Sequence, residues 1–335
     1  MQRSNKYYPV IRRFINYFLG PLLFVWLSFS IYTQIKNQSN LELSWLRIRD
    51  SIKSTAGWNL LLVGLLMVAN WSIETWKWKL AVSKIQKVDF AKAFKAILSG
   101  VSFSVSTPNR MGEYLGRVLY IEEGNRLRTI SITIVSSMSQ LIVTLLMGCL
   151  GLFFLKQRIL SADIASALWV RIILSGTIIV LLGLTILYFR LARVIKWLDR
   201  LPGSSKYAYL VNAVEDFNAT LLLRLLSLSV VRFIVFAIQY YLLFRLFGVD
   251  VTWWQGFWSV SVTFLVMAVI PTIALLELVQ KGKVILKVVT LFSTNELGIG
   301  LTVATIWFIN LVIPAIFGSL LILSIKIFRK QNEMD

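Results

Sequence analysis

The chain has 335 residues, of which 57% are hydrophobic and only 15% charged, and its mean hydropathy is +0.73; soluble domains average about 45–50% apolar and about 25% charged, so an ordinary globular protein is excluded and a polytopic α-helical membrane protein is expected. The formal net charge is +19, but the basic residues flank apolar runs and form no soluble patch, which points to cytoplasmic loops facing anionic lipid and not to nucleic acid. With no histidine and a single cysteine, Cys149, in an apolar run, Ser-His-Asp and Cys-His catalysis, histidine zinc sites and disulfides within the chain are excluded, and no metal or cofactor is expected.

Arg3, Lys6, Arg12 and Arg13 precede an apolar run at 18–35, which reads as an uncleaved first span with a cytoplasmic N-terminus. Residues 36–57 carry both charge signs, and Leu41, Trp45, Ile48 and Ile52 predict a short amphipathic helix on the outer surface. The second span, 58–76, ends in Trp71, Trp76 and Trp78, read as an interfacial aromatic belt. Lys77, Lys79, Lys84, Lys87, Lys92 and Lys95 against Asp89 alone then predict a cytoplasmic surface helix.

The serine-rich apolar run 96–106 is far shorter than the roughly 20 residues needed to span, so it is expected to dip in and return. Pro108 removes a donor and biases Thr107 away from helix, breaking one helix and starting another. If the residues after Pro108 are helical, Arg110, Glu113 and Arg117 share one face, with Glu113 and Arg117 in the favourable i, i+4 order. Gly112 and Gly116 form a small-residue face on the same helix. Arg117, Glu122, Glu123, Arg126 and Arg128 return the chain to the cytoplasmic surface.

Full spans follow at 130–155 and 168–189, then a basic cytoplasmic segment with a loop at 201–205, then a span at 225–247 carrying Arg232 about 10 Å inside its cytoplasmic end. Trp253, Trp254 and Trp258 mark the outer belt. The run 257–270 ends at Pro271 and 284–292 returns; the last span, 298–325, contains Asn310 and Pro314 and leads to Lys326, Arg329 and Lys330, placing the C-terminus in the cytoplasm. The expected architecture is one transmembrane domain of about six full spans and two re-entrant broken-helix hairpins that enter from opposite faces, as an inverted repeat with halves near 1–160 and 161–330 produces. The competing topology makes 257–274 a full span and 284–292 a thin return span, placing the lysines at 281–287 inside.

Two motifs correspond: Pro108, Glu113 and Arg117, and Pro271, Glu277 and Lys281. Read functionally, half-helix tips and arginines meet near the midplane and hold an anionic group such as a lipid phosphate; read structurally, each is an intrahelical ion pair that snorkels. Asn70, Glu74 and Lys77 lie along one face of the second span, where Glu74 could neutralise Arg110 or Arg117, or form an ordinary interfacial pair. Arg232, with Gln239, Tyr240 and Tyr241, could line a polar path or simply snorkel and bond between helices.

The run Thr107-Pro108-Asn109-Arg110-Met111-Gly112-Glu113-Tyr114-Leu115-Gly116-Arg117 resembles the proline-glycine-arginine-hydrophobic-glycine-glutamate signature of the lysylphosphatidylglycerol synthase transmembrane, or flippase-like, family. Asn70-Trp71, Glu74 and Lys77-Trp78 are similar to that family's second-span pattern, and Pro271 to Glu277 to its later proline-glutamate motif. Asn109 stands where the family has glycine, and the second motif has Thr272 to Leu276 in place of the family's glycines. The resemblance implies the membrane domain without the aminoacyl-transferase domain, and therefore a non-enzymatic protein of the cytoplasmic membrane that translocates a phospholipid or lipid-linked headgroup. Membrane lipids are the implied partners. Arg110 and Arg117 would hold the phosphate, Glu113 would orient them or meet a substrate amine, and Glu277 with Lys281 would act from the outer half. Pro108, Gly112, Gly116, Glu74, Arg232 and Pro271 would support them. Two other readings stay open: a lipid-modifying enzyme using Glu113 or Glu277 as acid or base, and a non-catalytic subunit of a membrane transferase.

Overall fold

The computed structural model describes residues 57–105, 107, 110–191, 193, 217–269 and 274–323, with 274–277 and 323 as backbone only. The expected first span, most of the outer amphipathic stretch, the 201–205 loop, Pro108, Pro271 and the C-terminal cations lie outside these residues. Regular structure in the described residues is entirely helical. The helices are α1 (Gly57–Val82), α2 (Phe90–Val105), α3 (Gly112–Val118), α4 (Arg126–Ser161), α5 (Ala167–Phe189), α6 (Ala219–Leu246), α7 (Trp253–Val269), α8 (Ala274–Val289), α9 (Glu296–Trp307) and α10 (Ile313–Leu323). Among the described residues, five segments are long and apolar enough to cross a membrane: α1, α4 with the short turn before it, α5, α6, and Glu296–Ile322. They coincide with five of the expected spans.

Between α9 and α10 the backbone passes through a π-helical turn, Phe308–Val312. Two local features accompany it: Pro314 has no N–H to give to the Asn310 carbonyl, and the Asn310 side-chain Nδ2 donates to the Ile306 carbonyl at 3.2 Å.

The lysine-rich stretch forms no separate surface helix. Helix α1 runs on to Val82, and α2 starts at Phe90 because the Asp89 carboxylate accepts the Lys92 N–H at 3.0 Å and caps it. This bond, to an otherwise exposed carboxylate, holds the Asp89 pKa below its usual value.

Two pairs of short helices, α2–α3 and α7–α8, pack as hairpins. Helix α2 has 16 residues and α7 has 17, which gives rises of about 24 and 26 Å against a hydrocarbon thickness of about 30 Å. Both ends of the first pair lie together, since the Gln86 side chain donates to Glu122 Oε1 at 3.2 Å and accepts the Glu122 N–H at 3.3 Å. Both ends of the second pair do too: Asn295, the N-cap of α9, donates to the carbonyls of Phe247 and Gly248 at 2.9 Å each.

Helices α1 and α6 are antiparallel, because Gln239 donates to the Val63 carbonyl while Lys77 meets Ser229. The first hairpin therefore opens at the end of the bundle where α1 finishes, and the second opens at the end where α6 finishes. They face opposite ways.

Close backbone approach holds the first hairpin shut. A Cβ on Gly116 would fall on the Gly100 backbone, and one on Gly112 on the Phe103 carbonyl, so the small-residue face of α3 is pressed against α2. Thr107 bridges the break: its hydroxyl donates to the Phe103 carbonyl at 3.1 Å and accepts the Gly112 N–H at 2.7 Å. On the other side α2 lies against α10, where the Ser102 hydroxyl donates to the Ala315 carbonyl and Gly318 abuts Leu98.

Candidate functional site

The α1 sequence places Asn70, Glu74 and Lys77 at i, i+4 and i+7 on one face, and that face turns inward against α3 and α6. Glu74 is the centre. Its Oε1 accepts Arg117 Nη2 at 3.1 Å, and its Oε2 accepts Arg232 Nη1 at 2.7 Å and pairs with Lys77 Nζ at 3.0 Å. Arg117 also meets Glu113 Oε2 at 2.9 Å through the same Nη2. Arg232 Nε donates to Asn70 Oδ1 at 2.9 Å. Lys77 donates to the Ser229 hydroxyl at 3.3 Å, and Ser229 pairs with Ser139 at 2.9 Å. One carboxylate thus holds three cations from three helices.

The side chains are removed from solvent: exposure is 1% for Lys77 and Arg117, 5% for Glu74, 12% for Arg232 and 21% for Glu113. Charge this deep survives only when paired, and the pairing here is dense. The Arg232 guanidinium is further covered by two rings, with its carbon 5.3 Å from the Trp71 centroid and 5.7 Å from Phe236.

Several sequence expectations change. Arg110 does not share the face of Glu113 and Arg117: α3 begins only at Gly112, and Arg110 sits before it with φ of +57°. That left-handed conformation serves the reversal of the chain between α2 and α3. Helix α6 starts at Ala219, six residues ahead of the expected 225, where Asn218 caps it, and Arg232 turns into the bundle to meet Asn70 and Glu74. It does not snorkel. Trp71 and Trp78 are buried at 3% and 0% and are not belt residues; Trp78 donates to the Thr133 hydroxyl at 3.1 Å. Gln239 bonds between helices.

Of the second motif only Lys281 has a described side chain. Pro271 lies outside the described residues and Glu277 is described by backbone alone, within α8. Lys281 sits 5.5 Å from the Phe264 centroid, and Phe264 packs edge-on to Phe236 at 6.1 Å. Two rings thus separate Lys281 from Arg232. The Ser229–Ser139 pair and the Phe236–Phe264 bridge carry no sequence signal, since serine and phenylalanine are frequent throughout the chain.

A conserved-family comparison adds to this geometry: residues 17–318 match the family described as lysylphosphatidylglycerol synthase TM region. The chain belongs to that family. Among curated proteins none matches it. Membership of the lysylphosphatidylglycerol synthase TM region family, with the apolar helices, makes this a multi-pass membrane protein with a lipid-related function. The match contains every residue of the Glu74 network.

Proposed function

We propose that the protein translocates a phospholipid or lipid-linked headgroup between the leaflets of the cytoplasmic membrane, using the Glu74 network to handle the phosphate. The observation that carries this reading is the burial of Glu74, Lys77 and Arg117, with Arg232 and Glu113 partly buried against them, inside an otherwise apolar bundle. Ionised groups at such depth mark substrate paths more often than structure. The two opposed hairpins support it: they are taken as re-entrant, as halves of an inverted repeat, with the end bearing Lys84, Lys87, Arg126 and Arg190 facing the cytoplasm. A carrier, and not an enzyme, is favoured because both Glu74 oxygens and one Glu113 oxygen are occupied by cations, which suits holding charge and not moving protons.

The test is transbilayer movement of a fluorescent phospholipid in proteoliposomes holding the full chain. Movement faster than in empty vesicles, and reduced at least tenfold by Arg232→Gln, is expected. Equal rates for protein and empty vesicles would remove the transport reading.

A further inference from the structure

The network has a charge and hydrogen-bond imbalance that specifies what it can accept. Three cations, Lys77, Arg117 and Arg232, are joined to two carboxylates, Glu74 and Glu113, leaving one positive charge in excess among the ion-paired groups. The acceptors are largely taken. Glu74 spends both oxygens on three cations, and Glu113 is committed through Oε2 to Arg117.

Donors, by contrast, are in surplus. Among the described residues, Arg117 Nε and Nη1, Asn70 Nδ2 and Trp71 Nε1 are buried with no hydrogen-bond partner. Arg117 is the informative one, because it is 1% exposed and uses only Nη2 of its three nitrogens. A buried guanidinium with two idle nitrogens is an unfilled acceptor-binding position.

We infer that the network takes the phosphodiester of a lipid headgroup carrying one uncompensated negative charge, and discriminates against headgroups that add an amine. This rests on the lipid-handling reading above and narrows it. A phosphodiester brings one negative charge and two non-bridging oxygens that only accept, so it cancels the excess charge and supplies the missing acceptors at once. A zwitterionic headgroup brings no net charge and leaves the excess in place. An aminoacylated headgroup with a net positive charge enlarges it, and its ammonium groups meet a site whose carboxylate oxygens are largely taken.

The discriminating measurement is native mass spectrometry of the full-length protein from nanodiscs of phosphatidylcholine doped equally with phosphatidylglycerol, phosphatidylethanolamine or lysylphosphatidylglycerol. Phosphatidylglycerol is expected to be retained at least tenfold more than either of the others. Equal or greater retention of the ethanolamine or lysyl lipid overturns the inference. Inorganic phosphate is added in a separate arm; if it displaces phosphatidylglycerol at millimolar concentration, the site belongs to a soluble anion and the lipid assignment fails. Arg232→Gln removes the excess charge and should abolish the preference, a result scored only on variant protein that melts as a folded species; the wild-type lipid series decides the question where the variant does not fold. Equilibrium selectivity is independent of movement. Selectivity without transport sinks the translocation reading and keeps the site, whereas transport without selectivity does the reverse.

Discussion

Glu74 is where the energetics of the bundle concentrate. Its carboxylate is the shared partner of Lys77, Arg117 and Arg232, so Glu74→Gln leaves three buried cations without it. Removing one partner from a buried pair costs about 3–5 kcal/mol, and that range is expected for Glu74→Gln in thermal or denaturant unfolding of the detergent-solubilised protein. Glu113→Gln should cost about 1 kcal/mol or less, as for a partly exposed pair, because Glu113 keeps 21% exposure and Arg117 retains Glu74. Equal losses for the two variants would show that Glu74 is not the hub. Arg232→Lys should also weaken the network, since a single ammonium cannot reproduce the two directed bonds from Nε to Asn70 and from Nη1 to Glu74; a melting temperature unchanged from wild type would contradict this.

At the scale of elements, the α2–α3 hairpin is shaped by absent side chains. Gly116→Ala places a methyl group on the Gly100 backbone, where neither side can yield as a flexible side chain would, so it should destabilise by about 1–3 kcal/mol. Gly124→Ala, where an added Cβ meets nothing within 4 Å, should stay within about 0.5 kcal/mol of wild type; comparing the two melting temperatures isolates the crossing. The Asp89 cap makes a pH prediction. Its carboxylate pKa is lowered by the Lys92 N–H, so the stabilisation of the first turn of α2 is complete above the ordinary aspartate pKa of about 3.9 and is lost as pH falls through the lower folded value. Amide exchange in that turn, corrected for intrinsic rates, should therefore rise on acidification in the wild type and be insensitive to the same acidification in Asp89→Ala. Five of the expected spans were legible because apolar length acts locally. The burial of Arg232 was not, because its partners Asn70 and Glu74 lie 162 and 158 residues away in the chain. Trp71 was misplaced for the same reason: a belt assignment assumes an interface, whereas packing under Arg232 depends on a partner 161 residues away in the chain.

For the whole molecule, the two hairpins open at opposite ends of the bundle, and this follows from contacts that no single segment contains. The Gln86–Glu122 pair closes one end, the Asn295–Phe247 contact closes the other, and the antiparallel α1–α6 packing sets them apart. The hydropathy pattern could not choose between a re-entrant 257–292 region and a full span at 257–274 with a thin return span at 284–292, since both return the chain to the side it left. The lengths of α7 and α8 lean toward re-entry, and surface labelling decides the sidedness. In a Cys149-free background, Gly124→Cys should react with an impermeant thiol reagent only from the cytoplasmic side, and Ala162→Cys and Thr294→Cys only from the outer side; all three positions are exposed. Labelling of Thr294→Cys from the same side as Gly124→Cys would place both hairpin mouths on one face and dissolve the inverted-repeat arrangement. A further position separates the remaining topologies: Lys283→Cys, exposed on α8, should react from the outer side if the pair is re-entrant and from the cytoplasmic side if α7 crosses fully. Re-entry is the expected result, because α8, with 16 residues, rises only about 24 Å, well short of a hydrocarbon thickness of about 30 Å.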